Sequence, residues 1–183
     1  MADKQVPAVR TVITPQGYAR AVITAWPAVG EGIPEKDDVG VLYAQWMMET
    51  GGSTCWNWNI GNAKWTRGCG TDFMCLNGVS EGVDFGTAAA LVASGRAIRD
   101  PSPDHAHAVG PGKVSVIFPP PQLESRFRGF PDLAAGMVSH LRLLHERFAK
   151  VWPLVLAGDA RGAAPMLGTR ALSNKHTRGS VSQ

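Results

Sequence analysis

The sequence predicts one mainly helical α+β domain with a small β-hairpin lobe. Its 183 residues, 44% of them hydrophobic, suffice for one sizeable core. Apolar residues recur at helical spacing in the first 50 residues and again after residue 131. Between them the period is lost and Gly, Asn and Thr become frequent, which is typical of loops and short strands. We place the domain at residues 14–172, between an extended arm (1–13) and a flexible tail (173–183) that is too polar to bury.

The first helix begins at Pro15, because Thr14 is a good N-cap and proline is favoured at the first helical position. Trp26-Pro27 ends it, since a residue that precedes proline disfavours the helical conformation. The residues predicted to face the core are Tyr18, Ala21, Val22 and Ala25.

A second helix starts at a cap formed by Asp37 or Asp38 and ends at Gly51-Gly52. Its predicted core-facing residues are Val39, Leu42, Tyr43, Trp46 and Met47. Glu49 follows Leu42 by about two helical turns, so it lies on the apolar side of this helix.

The middle of the chain predicts loops and a short hairpin or small sheet within residues 53–85. GTAAALVASGRAI predicts a short helix, RDPSPDHAHAVGPG a loop, and KVSVIF a strand that FPPPQ ends. Pro131 opens the strongest helical pattern, and a shorter helix lies between Asp159 and Gly168. The apolar residues of the stronger pattern are Leu133, Met137, Val138, Leu141, Leu144, Phe148, Val151 and Trp152.

Glu49 stands out chemically because it closes an apolar stripe directly before two glycines. A carboxyl group among apolar neighbours is disfavoured as an anion, so its pKa rises and it can keep a proton near neutral pH. The glycines allow a sharp turn that leaves the carboxyl group at the edge of a cleft. These are the properties of a general acid.

The segment after Glu49 is rich in flat aromatic rings and amide side chains. Aromatic faces with amide donors and acceptors between them suit a sugar ring, which is apolar on its faces and polar at its edge. The aromatic residues are Trp56, Trp58 and Trp65, and the amides are Asn57, Asn59 and Asn62. Each residue alone is more typical of a core or a turn, but their coincidence indicates a carbohydrate site.

The net charge of +3 is spread over the chain, which favours an anionic surface such as cell wall over sequence-specific nucleic-acid binding. No apolar run approaches the length of about 20 residues that a membrane helix needs. The start, MADKQVPAVRTVITP, lacks the features of a secretory signal.

No metal site or cofactor is predicted. Asp104–His107 offers two histidines without a third ligand, and His140 and His145 point to different faces of one helix. Cys55 lies next to the proposed site, but no histidine is identified that would activate it. Cys69 and Cys75 could close a small loop, although reduced thiols are favoured.

The motifs AQWMMETGG, CWNWNIGNAK, FRGFPDLAAGMVSHLRLL and VWPLVLAGD occur in this order, with a Gly/Thr-rich hairpin after the second. This order resembles the bacterial glucosaminidase domain of flagellar muramidases, autolysins and phage lysins, which belongs to the lysozyme-like superfamily. The resemblance covers Thr14 to Gly168. It implies a lysozyme-like helical domain with a small hairpin lobe, in which residues 86–112 are an insertion.

The resemblance implies that Glu49 protonates the glycosidic oxygen and that Asn57–Lys64 floors the sugar subsites. A second carboxylate should fall in DFMCLNGVSEGVD, where Glu81 is the first choice and Asp72 and Asp84 follow. Some members of the superfamily use the substrate's own acetamido group in its place. The expected sugar contacts are Trp56, Trp58, Asn59, Asn62 and Lys64.

The expected function is therefore that of an endo-β-N-acetylglucosaminidase acting on the glycan strand of bacterial peptidoglycan. A muramidase, a lytic transglycosylase and a non-catalytic peptidoglycan-binding component are the alternatives. Lacking a signal peptide, the protein is expected to be made in the cytoplasm. It would reach the wall after holin-dependent lysis, as phage endolysins do, or through an export or injection machine, as antibacterial effectors do. The sequence predicts no oligomeric state.

Overall fold

A computed structural model describes residues 4–30, 32–50, 54–102 and 110–163, with side chains throughout except at 48–50. These ranges form a mixed α+β fold of helices and small antiparallel sheets. The helices are α1 (Pro15–Ala25), α2 (Lys36–Thr50), α3 (Phe85–Ala93), α4 (Leu133–Arg147) and α5 (Trp152–Leu156). The strands are β1 (Arg10–Val12), β2 (Thr54–Trp56), β3 (Asp72–Cys75), β4 (Val79–Asp84), β5 (Ile98–Arg99), β6 (Lys113–Phe118) and β7 (Arg126–Gly129).

Helix α1 confirms its sequence prediction. The Thr14 hydroxyl accepts a hydrogen bond from the Gly17 amide at 3.0 Å, which caps the first turn. After Ala25 the chain tightens into a 3₁₀ helix, Trp26–Val29, which Gly30 ends in a left-handed conformation (φ 75°). The predicted core residues Tyr18, Ala21, Val22 and Ala25 are all buried.

The main core lies between α1, α2, α4 and α5. The Tyr18 ring stacks on Trp46 with centroids 4.9 Å apart, and its hydroxyl donates to the Leu42 carbonyl at 3.0 Å. The prediction for Met47 was wrong, since its side chain is 38% exposed while Val41 is buried. The inward face of α2 is centred on Leu42, and Met47 points to nearly the opposite side.

The C-terminal helical pattern is two helices instead of one. Asp132 caps α4 by accepting from the Ala135 amide at 2.8 Å, so Pro131 precedes the cap and does not open the helix. The helical conformation ends at Phe148 and begins again in α5. The apolar residues of both helices still pack on the main core, which explains why the pattern extended across the break. Residues 160–163 begin the helix expected after Asp159, and the tail lies outside the described residues.

The strands pair with distant partners. β3 pairs with β7 in the register Asp72↔Gly129, and β4 pairs with the central strand of the β4-β6-β5 sheet. The local hairpin expected within residues 53–85 is therefore not formed between β3 and β4. The N-terminal arm also pairs, through β1 with β2 and through a bridge between Gln5 and Phe73.

The segment expected to be an insertion, residues 86–112, contributes most of α3 and all of β5. These elements pack on β6 around a small second core of Ala88, Ala97, Val116 and Phe118. The segment is therefore built into the β4-β6-β5 sheet, although residues 103–109, which include the Asp104–His107 motif, lie outside the described part.

Candidate functional site

Glu49 lies in the last turn of α2, which ends at Thr50. Its side chain and Gly51-Gly52 lie outside the described residues. Strand β2 begins at Thr54, so the backbone places Glu49 at the passage from a core helix to a strand. This agrees with the predicted helix end.

A loop at residues 57–62 follows β2 and packs closely against α4. Trp58, Asn57 and Asn62 have left-handed backbone angles (φ 56°, 45° and 49°). This conformation costs a bulky residue such as tryptophan about 1–2 kcal/mol, whereas asparagine tolerates it better. The Trp58 carbonyl meets α4 at Gly136, where a Cβ atom would lie 2.0 Å from that oxygen. The loop conformation therefore depends on a glycine in the facing helix.

Asn59 needs a correction as an expected sugar contact. Its side chain is 1% exposed. Its Oδ1 accepts from the Ala63 amide at 2.8 Å, and its Nδ2 donates to the Ala63 carbonyl at 3.0 Å. Asn59 thus closes the turn that leads to Lys64 and presents no side-chain surface to a ligand in this conformation.

The tryptophans of this region divide into two groups. Trp56 and Trp58 are partly buried, so each packs on a core while the residue keeps some exposed surface. Asn62 is also partly exposed. Trp65, in contrast, is buried against Phe73 (4.6 Å between centroids) and donates its indole N–H to the Thr71 carbonyl at 3.1 Å. Trp65 is therefore part of a core and not a sugar platform.

Lys64 and Glu81 form an ion pair, with 3.3 Å between Nζ and Oε1. Both side chains keep exposed surface, 37% and 41% respectively. The same ammonium group donates to the Glu124 carbonyl and lies 4.3 Å from the centre of the Phe127 ring. Burial lowers the pKa of Lys64, and the negative charges of Glu81 and Glu124 oppose this change. Lys64 was expected to contact the sugar, but in this structure its ammonium group forms an ion pair with Glu81.

The two other candidate carboxylates have local roles. Asp84 caps α3, because its oxygens accept from the Thr87 amide at 2.8 Å and the Thr87 hydroxyl at 2.6 Å. These hydrogen bonds lower the pKa of Asp84. Asp72 lies in β3 and accepts a long 3.4 Å hydrogen bond from the Lys4 amide. Glu81 is therefore the candidate that is both accessible and held by a cation.

His140 borders the loop at 57–62. The sequence alone did not predict this contact. Its side chain is 3% exposed, and Nδ1 lies 2.6 Å from where a Cβ atom on Gly61 would be. Within the described residues neither ring nitrogen has a hydrogen-bond partner. Burial lowers the pKa of His140 to about 4. The signal for burial was present, since His140 lies on the same helical face as Met137 and Leu144.

We expect the free energy of unfolding of this protein to fall as the pH is lowered from 6.5 to 4. The unfolded chain protonates His140 below about 6.5, whereas the folded chain keeps it neutral until about 4. The folded state therefore loses about 3 kcal/mol relative to the unfolded state across this window. Urea denaturation over this range should show that His140→Leu loses less stability than the wild type, whereas His145→Leu should follow the wild type. Equal losses in all three proteins would contradict the assignment.

Cys55, Cys69 and Cys75 are free thiols in this structure. Burial raises the pKa of Cys55, although hydrogen bonds with the Thr11 hydroxyl and the Trp58 amide oppose the rise. A buried thiol that resists ionisation is a poor nucleophile.

The described part of the chain contains no helix long and apolar enough to cross a bilayer. In the same ranges, no three His, Cys, Asp or Glu residues are grouped as metal ligands would be. Neither a protein-family model nor a curated protein or solved structure matches the chain.

Proposed function

We propose that this protein hydrolyses β-1,4 glycosidic bonds in the glycan strand of bacterial peptidoglycan, as an endo-β-N-acetylglucosaminidase of lysozyme-like fold. Glu49 is the general acid and Glu81 the second carboxylate. The protein meets this substrate after cell lysis or through an export or injection machine.

One packing relation supports the proposal best. Strand β2, which begins five residues after Glu49, carries Trp56 onto a small core formed by Met74, Val79 and Phe127. The Phe127 ring of that core lies under Lys64, the partner of Glu81. Trp56 and Phe127 thus connect the segment after Glu49 to the strand that bears Glu81.

The chemistry divides between the two carboxyl groups. Glu49 protonates the oxygen of the leaving sugar, while Glu81 either activates a water molecule or stabilises the positive charge that develops on the sugar ring. The Lys64 ammonium group holds Glu81 in place, and the exposed part of this ion pair leaves it accessible to substrate. Trp56, Trp58 and Asn62 supply the sugar contacts, because each keeps exposed surface.

Mass spectrometry of the soluble fragments released from purified peptidoglycan tests this function. Fragments that end in reducing N-acetylglucosamine would support the glucosaminidase. Reducing or anhydro muramic acid ends would instead identify a muramidase or a transglycosylase. A folded protein that binds peptidoglycan but releases no fragments would be a binding component, and the catalytic proposal would fail.

We expect Lys64→Met to reduce the cleavage rate about fivefold, since an ion pair at this exposure contributes about 1 kcal/mol. Lys64→Arg keeps the positive charge and should retain most of the activity. The rate of reducing-end release, measured on variants with unchanged urea midpoints, compares the two. If Lys64→Met cleaves as fast as the wild type, Glu81 does not depend on this ion pair, and the role proposed for Lys64 fails.

A further inference from the structure

The β3–β7 sheet has a second face, opposite the one that carries Phe127. Arg126 and Arg128 share this face, because alternate residues of a strand point to the same side. Their cross-strand neighbours are Cys75 and Phe73. Trp65 covers Phe73 from the preceding loop, and the Arg126 guanidinium group lies over both rings.

Neutral groups hold both guanidinium groups in place. Arg126 donates from Nε and Nη2 to the Pro121 carbonyl at 3.1 and 3.0 Å. Its Cζ atom lies 4.9 Å from the centre of the Phe73 ring and 5.4 Å from that of Trp65. Arg128 donates from Nε to the Lys64 carbonyl at 3.3 Å. Since a guanidinium group has five N–H donors, each arginine keeps donors that have no partner within the part of the chain that the structure describes.

Among the described residues, neither Arg126 nor Arg128 forms an ion pair with a carboxylate. The positive charge of Arg128 also affects Cys69. Burial raises the pKa of the Cys69 thiol, but hydrogen bonds with Thr71 and Thr66 and the charge of Arg128 lower it by more. Two positive charges therefore lie on one face of a strand, on residues whose Cα atoms are roughly 7 Å apart.

We propose that Arg126 and Arg128 form a binding site for an oxyanion, either a carboxylate or a phosphate. The fixed fork of a guanidinium group matches both anions with paired hydrogen bonds, and two such groups on one face of β7 offer an anion two positive charges. A free carboxylate of a peptide and a phosphate of a wall polymer both meet this chemistry. The site does not depend on glycosidase activity.

The test is a titration of the intact protein with inorganic phosphate and with acetate at constant ionic strength, followed by NMR of the arginine side-chain N–H signals. The signals of Arg126 and Arg128 should shift saturably. Arg128→Gln should bind at least tenfold more weakly, whereas Arg142→Gln, which removes an exposed charge from α4, should bind like the wild type. Arg128 makes one structural hydrogen bond, so this variant should fold. Arg126→Gln provides a second test of the same loss.

Two further titrations distinguish the sources of the anion. Glycerol phosphate represents the phosphate of a wall polymer, and N-acetylalanine represents the free carboxylate of a peptide. Binding of either compound, or both, supports the site and identifies the anion it accepts. No saturable shift with any of the four probes, or equal binding by Arg128→Gln and the wild type, would overturn the proposal.

Discussion

Glu49→Gln is expected to slow glycan cleavage at least about 100-fold, because a general acid typically contributes that much or more to the rate. Glutamine has nearly the shape of the acid but cannot deliver a proton to the leaving oxygen. The substitution falls in the last turn of α2, where the backbone remains helical. The circular dichroism spectrum, the urea midpoint and the binding of insoluble peptidoglycan should therefore stay unchanged.

Glu146→Gln is the matched control, since it makes the same chemical change at an exposed position of α4. It should cleave like the wild type. If Glu49→Gln also cleaves at the wild-type rate, another residue is the acid and the catalytic assignment fails. If wall binding and cleavage are both lost while the fold is intact, Glu49 acts in binding instead of proton transfer.

The sequence predicted where the main helical segments lie, because their signals are local, but it did not predict the break between α4 and α5. Thr14 and Pro15 fixed the start of α1, and a period of apolar residues identified the faces of α2 and α4 that form the core. Strand pairing was not predictable in this way. Asp72 pairs with Gly129, more than fifty residues later, and no local pattern encodes such a register.

The candidate site was predicted by residue type. Residue type indicates which chemistry a side chain could perform, but not whether that side chain is free to contact a ligand. Asn59 and Trp65 have suitable side chains, yet both are buried and engaged in closing or packing the loop. Lys64 is engaged with Glu81. Asp84 could have been recognised from sequence, because an aspartate three residues before Thr87 at the start of an Ala-rich helix is a capping pattern.

Gly136→Ala is expected to lower the free energy of unfolding by about 3 kcal/mol or more, since the added methyl group would overlap a backbone oxygen that a side-chain rotation cannot move. The oxygen belongs to Trp58, and a Cβ atom would lie 2.0 Å from it. Gly40→Ala is the matched control in α2, where nothing lies within 4 Å of the added atom. That variant should gain about 0.5–1 kcal/mol, because alanine favours a helix interior. Urea denaturation measures both changes.

Gly136→Ala is expected to lower the free energy of unfolding and Gly40→Ala to raise it. The comparison therefore isolates the contact between α4 and the loop at 57–62. Asn57, Trp58 and Asn62 hold left-handed conformations because the surrounding structure fixes them, and Gly136 lets α4 approach the Trp58 carbonyl closely. If Gly136→Ala folds at low temperature, the loop must have moved away from α4. Cleavage should then fall as well, since Trp58 is one of the proposed sugar contacts. If Gly136→Ala stabilises the protein as much as Gly40→Ala does, the loop does not lie against α4.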